Sequence, residues 1–117
     1  MIWYARSGMK LPNGERAIVD LEKLEGYCLN SHHLRGRNKA RVFASVGIGL
    51  AKAEVLREAL LSAARTAEVQ PSSENQYGQR YIVDFDLAGQ SRTVRVRSAW
   101  MVRIGEGLPR LTTCYVL

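Results

Sequence analysis

The chain reads as an α+β domain in which helices come first and an antiparallel sheet follows. Three observations predict this. Apolar residues recur at three- and four-residue spacing as far as Ala67. A stretch with Pro71, Ser72, Ser73 and Gly78 then reads as a loop, with Val69 available for a short strand. From Arg80 onward apolar and polar residues alternate one by one, the period of a strand with one buried face. No internal repeat and no second composition regime appears, so the 117 residues are expected to form a single domain.

The elements follow in order. Residues 1–10, through Ile2, Trp3 and Tyr4, suggest a short edge segment, and Leu11-Pro12-Asn13-Gly14 is turn chemistry. Residues 20–67 form the helical part. Asp20 is a plausible N-cap for a helix to about Cys28, whose face of Leu21, Leu24, Tyr27 and Cys28 is apolar. A second helix is expected after Gly36, with Ala40, Phe43, Ala44 and Val46 as its buried stripe and Gly47 and Gly49 ending it. The third, about Ala51 to Ala67, sets Leu56, Ala59, Leu60 and Ala63 against Lys52, Glu58 and Arg65. Residues 79–117 are expected to be a meander of three to four strands. Tyr81, Val83, Phe85 and Leu87 alternate with Arg80, Ile82, Asp84 and Asp86. After the Ala88-Gly89-Gln90 turn, Val94, Val96, Ser98, Trp100, Val102 and Ile104 alternate with Thr93, Arg95, Arg97, Ala99, Met101 and Arg103. Gly105-Glu106-Gly107 turns the chain into a last strand, Arg110–Val116.

Seventeen Lys and Arg against eleven Asp and Glu leave a net charge of +6, which favours acidic partners: nucleic acid, an anionic membrane or an acidic protein. No apolar run approaches the ~18–20 residues of a membrane span, and no membrane partner is expected. The opening MIWYARSGMK does not read as a signal peptide, because its apolar residues stop after Ala5. Cys28 and Cys114 lie inside apolar runs and are expected as reduced core thiols of a cytoplasmic protein, not as a disulfide. Two adjacent histidines and two distant cysteines do not make a zinc spacing. Val46-Gly47-Ile48-Gly49 lacks the lysine of a phosphate loop, and Ser98 lacks a nucleophile elbow. No metal or cofactor is expected.

The segment richest in chemistry is Asn30–Phe43, NSHHLRGRNKARVF, which holds both histidines and then Arg35, Arg37, Lys39 and Arg41 around Gly36. Imidazole carries protons near neutral pH, and guanidinium and ammonium groups hold anions. The functional reading is one wall of a phosphate-handling site; the plain alternative is a solvated basic turn leading into a helix. The sheet offers a second basic surface. If Val and Phe face the helices, then Arg95, Arg97 and Arg103 share the open face. Three guanidinium groups there repel unless something anionic lies between them: either a phosphate, or Asp84 and Asp86 in a cross-strand charge ladder. Trp100 next to arginines suggests base stacking, although a tryptophan alternating with valines belongs more naturally to the core.

The run LPNGERAIVDLEKLEGYCLN, the HxxGRxKARVF pattern of His33–Phe43, the strand YGQRYIVDF and the ending RSAWMVRIGEGLPRLTTCYV together resemble an uncharacterised bacterial domain family, over nearly the whole chain from Leu11 onward. A second resemblance is to the barnase/EndoU/colicin/RelE-like ribonuclease toxins, which also place helices before a four-stranded antiparallel sheet. This implies a metal-independent endoribonuclease that travels with a small acidic antitoxin or immunity protein. It also implies His33, Lys39, Thr113 and Tyr115 as catalytic candidates, with Arg97 on the phosphate. No Glu/His pair of the barnase kind is evident in this chain.

RNA cleavage without a metal needs a base for the 2′-hydroxyl, an acid for the leaving 5′-oxygen and cations on the phosphorane. His33 is the expected acid or base, Lys39 a phosphate cation, and Thr113 and Tyr115, two apart on one strand face, the orienting hydroxyls. Arg35, Arg37, Arg95, Arg97 and Arg110 are the expected phosphate contacts. The leading expectation is therefore a ribonuclease toxin with RNA as its partner. The alternative is a non-catalytic module that binds nucleic acid or an acidic protein through the same surfaces, and a third is an assembly domain of phage origin.

Overall fold

The computed structural model describes residues 9–117; the edge segment expected over residues 1–10 falls mostly outside them. Within that range the order is helices, then a four-stranded antiparallel sheet β1-β2-β3-β4. The strands are β1 (Gln70–Asn75), β2 (Gly78–Ala88), β3 (Thr93–Arg103) and β4 (Pro109–Val116). The helices are α1 (Leu21–Lys23), α2 (Arg37–Ser45) and α3 (Ala53–Thr66). The α+β architecture is as the change of period predicts.

Three local departures have physical causes. The first helix has only one α-helical turn and then widens into a π-helical stretch, Leu24–Cys28, and Asp20 makes no side-chain cap bond. The wider turn still buries Leu24 and Cys28, so the apolar spacing survives the change of hydrogen-bond pattern. The loop expected before Gln79 is instead β1, an edge strand whose residues are nearly all exposed. Its composition reads as loop because an edge strand buries no face and can carry Pro71. Finally, Ala44 and Ile104 are exposed, not part of the buried stripes. Ala44 falls in the last turn of α2, where the buried stripe of Ala40 and Phe43 has ended, and Ile104 follows the end of β3.

One sheet face carries the core. Val83, Phe85, Leu87, Val94, Val96, Trp100 and Cys114 pack with Leu24, Phe43, Leu56 and Leu60 from the helical side. Trp100 is fully buried, and its indole N–H donates to Ser98 Oγ (2.9 Å), which itself donates to the Val83 carbonyl (2.7 Å). A tryptophan so enclosed is a core residue, and its one polar atom is satisfied. At the sheet's last edge, Ile18 bridges β4 at Arg110 in parallel, which fastens the start of the helical part to the first half of β4. β4 also lies against α2.

Candidate nucleic-acid interface

The basic segment folds as a tight turn held by its own histidine. Arg35 N–H and Gly36 N–H both donate to His33 Nδ1 at 3.1 Å, and Arg37 N–H donates to the His33 carbonyl at 2.9 Å. The ring stands edge-on to Tyr27, centroids 4.8 Å apart. With Nδ1 accepting, the ring proton is assigned to Nε2, so the outward nitrogen is a donor. To act as a base through Nε2, His33 would have to change tautomer and give up both backbone bonds. Gly36 is required by close approach: a Cβ there would lie 2.7 Å from the Tyr27 carbonyl and 3.1 Å from its ring. His32 is exposed; its backbone N–H donates to Asn30 Oδ1 (2.9 Å).

The helix that follows begins against its own dipole. No acidic residue occupies the first turn of α2, whereas Arg37 and Lys39 do, beside Arg35. Positive charge at a helix N-terminus is disfavoured by the partial positive charge of the unpaired N–H groups there. Among the described residues Arg35, Arg37, Lys39 and Arg41 form no ion pair. Lys39 instead lies with its Nζ 4.5 Å from the centre of the Tyr115 ring, which joins α2 to the open face of β4.

On that face the arginines have partners. Register sets Asp84 opposite Arg97 and Asp86 opposite Arg95. Arg97 grips Asp84 with two parallel bonds, Nε to Oδ1 and Nη2 to Oδ2, both 2.9 Å. Arg95 Nη1 meets Asp86 Oδ1 at 3.0 Å, and Arg110 Nε meets Glu106 Oε1 at 2.7 Å. Asp84, with a smaller contribution from the Tyr115 hydroxyl, holds the Arg97 guanidinium above its ordinary pKa. The Glu106 carboxyl is held below its ordinary range by the Arg110 hydrogen bond. The charge ladder, not an open phosphate cradle, is therefore what Arg95 and Arg97 build.

Tyr115 faces Arg97 across β3–β4, and Thr113 lies opposite Ala99 on the same side of the strand. A bulge between Ala99 and Trp100 leaves Thr112 unopposed, and its hydroxyl donates to the Ala99 carbonyl (3.0 Å). The Thr113 hydroxyl is buried and, among the described residues, has no hydrogen-bond partner. Thus Lys39, Tyr115 and Arg97 come together, with Thr113 next along the strand. Among the described residues no hydrogen bond, ion pair or ring contact joins His33 to them; Tyr27 stands against it instead. Beneath this corner the Cys28 and Cys114 thiols meet in the core. The hydrogen bond from Cys114 lowers Cys28, and the same bond with burial raises Cys114.

Tyr27, Asp84 and Glu106 shape this surface, yet sequence reasoning gave Tyr27 to the core stripe and Glu106 to a turn. The spacing signal for Glu106 was present, since Arg110 follows it by four residues. For Tyr27 no local signal exists, because its contact with His33 spans the turn at Asn30-Ser31.

The fold and this surface define a small α+β domain with a basic corner where the start of α2 meets the outer edge of the sheet. The chain belongs to the DUF6883 family, a domain of unknown function whose profile matches residues 10–117. No curated protein matches it. No helix among the described residues is long and apolar enough to cross a membrane.

Proposed function

We propose that this domain binds the sugar–phosphate backbone of RNA at its basic corner. The observation that carries the reading is the start of α2. Arg35, Arg37, Lys39 and Arg41 crowd a helix N-terminus with no carboxylate among them, at a cost that a bound polyanion would remove. Arg95, Arg97 and Arg110, held by Asp86, Asp84 and Glu106, contribute orientation more than affinity. Binding should follow counterion release. Counting only the four cations of this corner, which form no ion pair among the described residues, the affinity for single-stranded RNA should fall with a log–log salt slope of about −3, at ~0.7 per phosphate contact. An Arg35→Gln, Arg37→Gln pair should flatten that slope by about 1.4. Fluorescence anisotropy across a salt series is the measurement, and a slope near zero would sink the proposal.

Strand cleavage is the second reading, favoured by one observation: an ammonium, a phenol and a guanidinium meet at Lys39, Tyr115 and Arg97. In such a reaction the 2′-oxygen attacks phosphorus, its proton passing to a base, and the 5′-oxygen leaves with a proton from an acid. The products are a 2′,3′-cyclic phosphate and a free 5′-hydroxyl. Lys39 and Arg97 would stabilise the phosphorane charge, and Thr113 and Tyr115 would orient its oxygens. On this reading the chain is a ribonuclease toxin, as the likeness to the barnase/EndoU/colicin/RelE group implies, and a small acidic antitoxin or immunity protein would neutralise the same corner. RNA incubated with the protein and a chelator should yield cyclic-phosphate ends, lost in Lys39→Met and Tyr115→Phe. Intact RNA with the unmodified protein would leave binding alone.

A further inference from the structure

Two hairpin ends stand side by side at one end of the open sheet face, and both are pinned. In the β1–β2 turn, Tyr77 N–H and Gly78 N–H donate to Asn75 Oδ1 at 2.8 and 3.2 Å. Ile104 N–H donates to the Tyr77 carbonyl at 2.9 Å and so ties this turn to the end of β3. The result holds two large side chains in water: Tyr77 is 66% exposed and Ile104 75%. Next to them a groove of ≈ 600 Å³ runs past Gln76, Met101, Arg103 and Thr112. A second groove of ≈ 240 Å³ shares Met101, Arg103 and Thr112 and continues to Asp20, Lys23 and Arg110. The first is walled by the Tyr77 ring, Met101 and Ile104, with Gln76, Arg103 and Thr112 beside them. The second is charged, with three cations there facing Asp20 and the Glu106 that Arg110 holds.

That sequence of surfaces, a flat apolar wall followed by cations, matches one unstacked nucleotide: a π-face, then a phosphate. Arg103 forms no ion pair among the described residues, so its fork is open to an anion. The groove also leads toward the basic corner. Lys23, at its far end, lies 5.9 Å from the centre of the Tyr27 ring, and Tyr27 packs on His33.

We infer that the Tyr77–Ile104 groove is a subsite for a single base of single-stranded RNA. This rests on the RNA-binding reading and narrows it to strands whose bases are unstacked. The Tyr77 ring stacks the base, the Gln76 amide meets its edge, and Arg103 takes the adjoining phosphate. Asp20 accepts a hydrogen bond from a ribose hydroxyl. The backbone then continues past Lys23 to the cations of α2.

The test compares three probes on the full chain: an octauridylate, an RNA hairpin of equal charge, and inorganic polyphosphate. Each is titrated against the unmodified protein, Tyr77→Ala, Tyr77→Phe and Arg103→Gln. Loss of one stacking contact predicts that Tyr77→Ala binds octauridylate about ten-fold more weakly. Tyr77→Phe should restore binding, and polyphosphate affinity should not change in either Tyr77 variant. Arg103→Gln should weaken octauridylate more than it weakens the hairpin. If Tyr77→Ala binds octauridylate as the unmodified protein does, the subsite is wrong while the RNA reading stands. If the unmodified protein binds none of the three probes, both fall together.

Discussion

Single side chains in this domain divide into those already committed and those left open. Ser98 is committed: its hydroxyl links the buried Trp100 N–H to the Val83 carbonyl. Ser98→Ala would strand an indole donor away from water, which costs about 1–3 kcal/mol. Urea unfolding of that variant should show a loss of that size with an unchanged slope. Asp84 is committed to Arg97, but the pair is partly exposed and screened by solvent, so breaking it costs little stability. Asp84→Asn should instead free a guanidinium beside Tyr115 and tighten RNA binding, read by anisotropy at low salt. Glu106 gives a pH signature. Its carboxyl is held low by Arg110, so the contribution of that pair is present above the ordinary carboxylate range and is lost as pH falls through the lowered value. Arg110→Gln should move the Glu106 titration upward, seen in its side-chain carboxyl resonance by NMR.

Among the elements, the turn between the first helical stretch and α2 is the one that positions the corner. It depends on the His33 ring accepting two backbone N–H groups and on the missing Cβ of Gly36 against Tyr27. Gly36→Ala should push Tyr27 and the turn apart, lowering stability by about 1–3 kcal/mol, since the nearest atom is backbone and cannot yield as a side-chain tip does. RNA affinity should fall with it, because Arg35 and Arg37 ride on that turn. His33→Asn tests the turn separately from proton transfer: its side-chain oxygen can accept from the following N–H groups as in an Asx turn. Retained cleavage in that variant would assign His33 to holding the backbone. The π-helical stretch is the other element with consequences, for it brings Cys28 against Cys114 and thereby seats the first helix on β4.

At the scale of the molecule, charge is sorted by face. The core lies between the helices and one sheet face, and the opposite face carries a ladder of alternating charge whose partners are fixed by strand register. The net charge of +6 is therefore not spread evenly in its effect, because Arg95 and Arg97 on the sheet are matched by carboxylates while, among the described residues, the α2 cations and Arg103 are not. Polyanion binding should concentrate at the α2 end and show the salt dependence already given. Chemical-shift changes on adding RNA should fall on residues 33–41, Tyr115 and the Tyr77 turn. Changes confined to Asp86 and Arg95 would place the ligand elsewhere.

The fold class was legible in the residues because helix and strand leave different periods in a chain, 3.6 and 2.0, and this chain switches from one to the other. The alternation also placed Arg95, Arg97 and Arg103 on the open face and Trp100 in the core. It also offered Asp84 and Asp86 as partners of these arginines in a cross-strand ladder, but left a phosphate as the alternative, since which residues pair across strands depends on register. Only the folded sheet set Asp84 against Arg97, brought Lys39 onto Tyr115 across 76 positions, and turned His33 inward to hold its own loop. An edge strand such as β1 also escapes reading, because a segment that buries neither face leaves no apolar pattern behind.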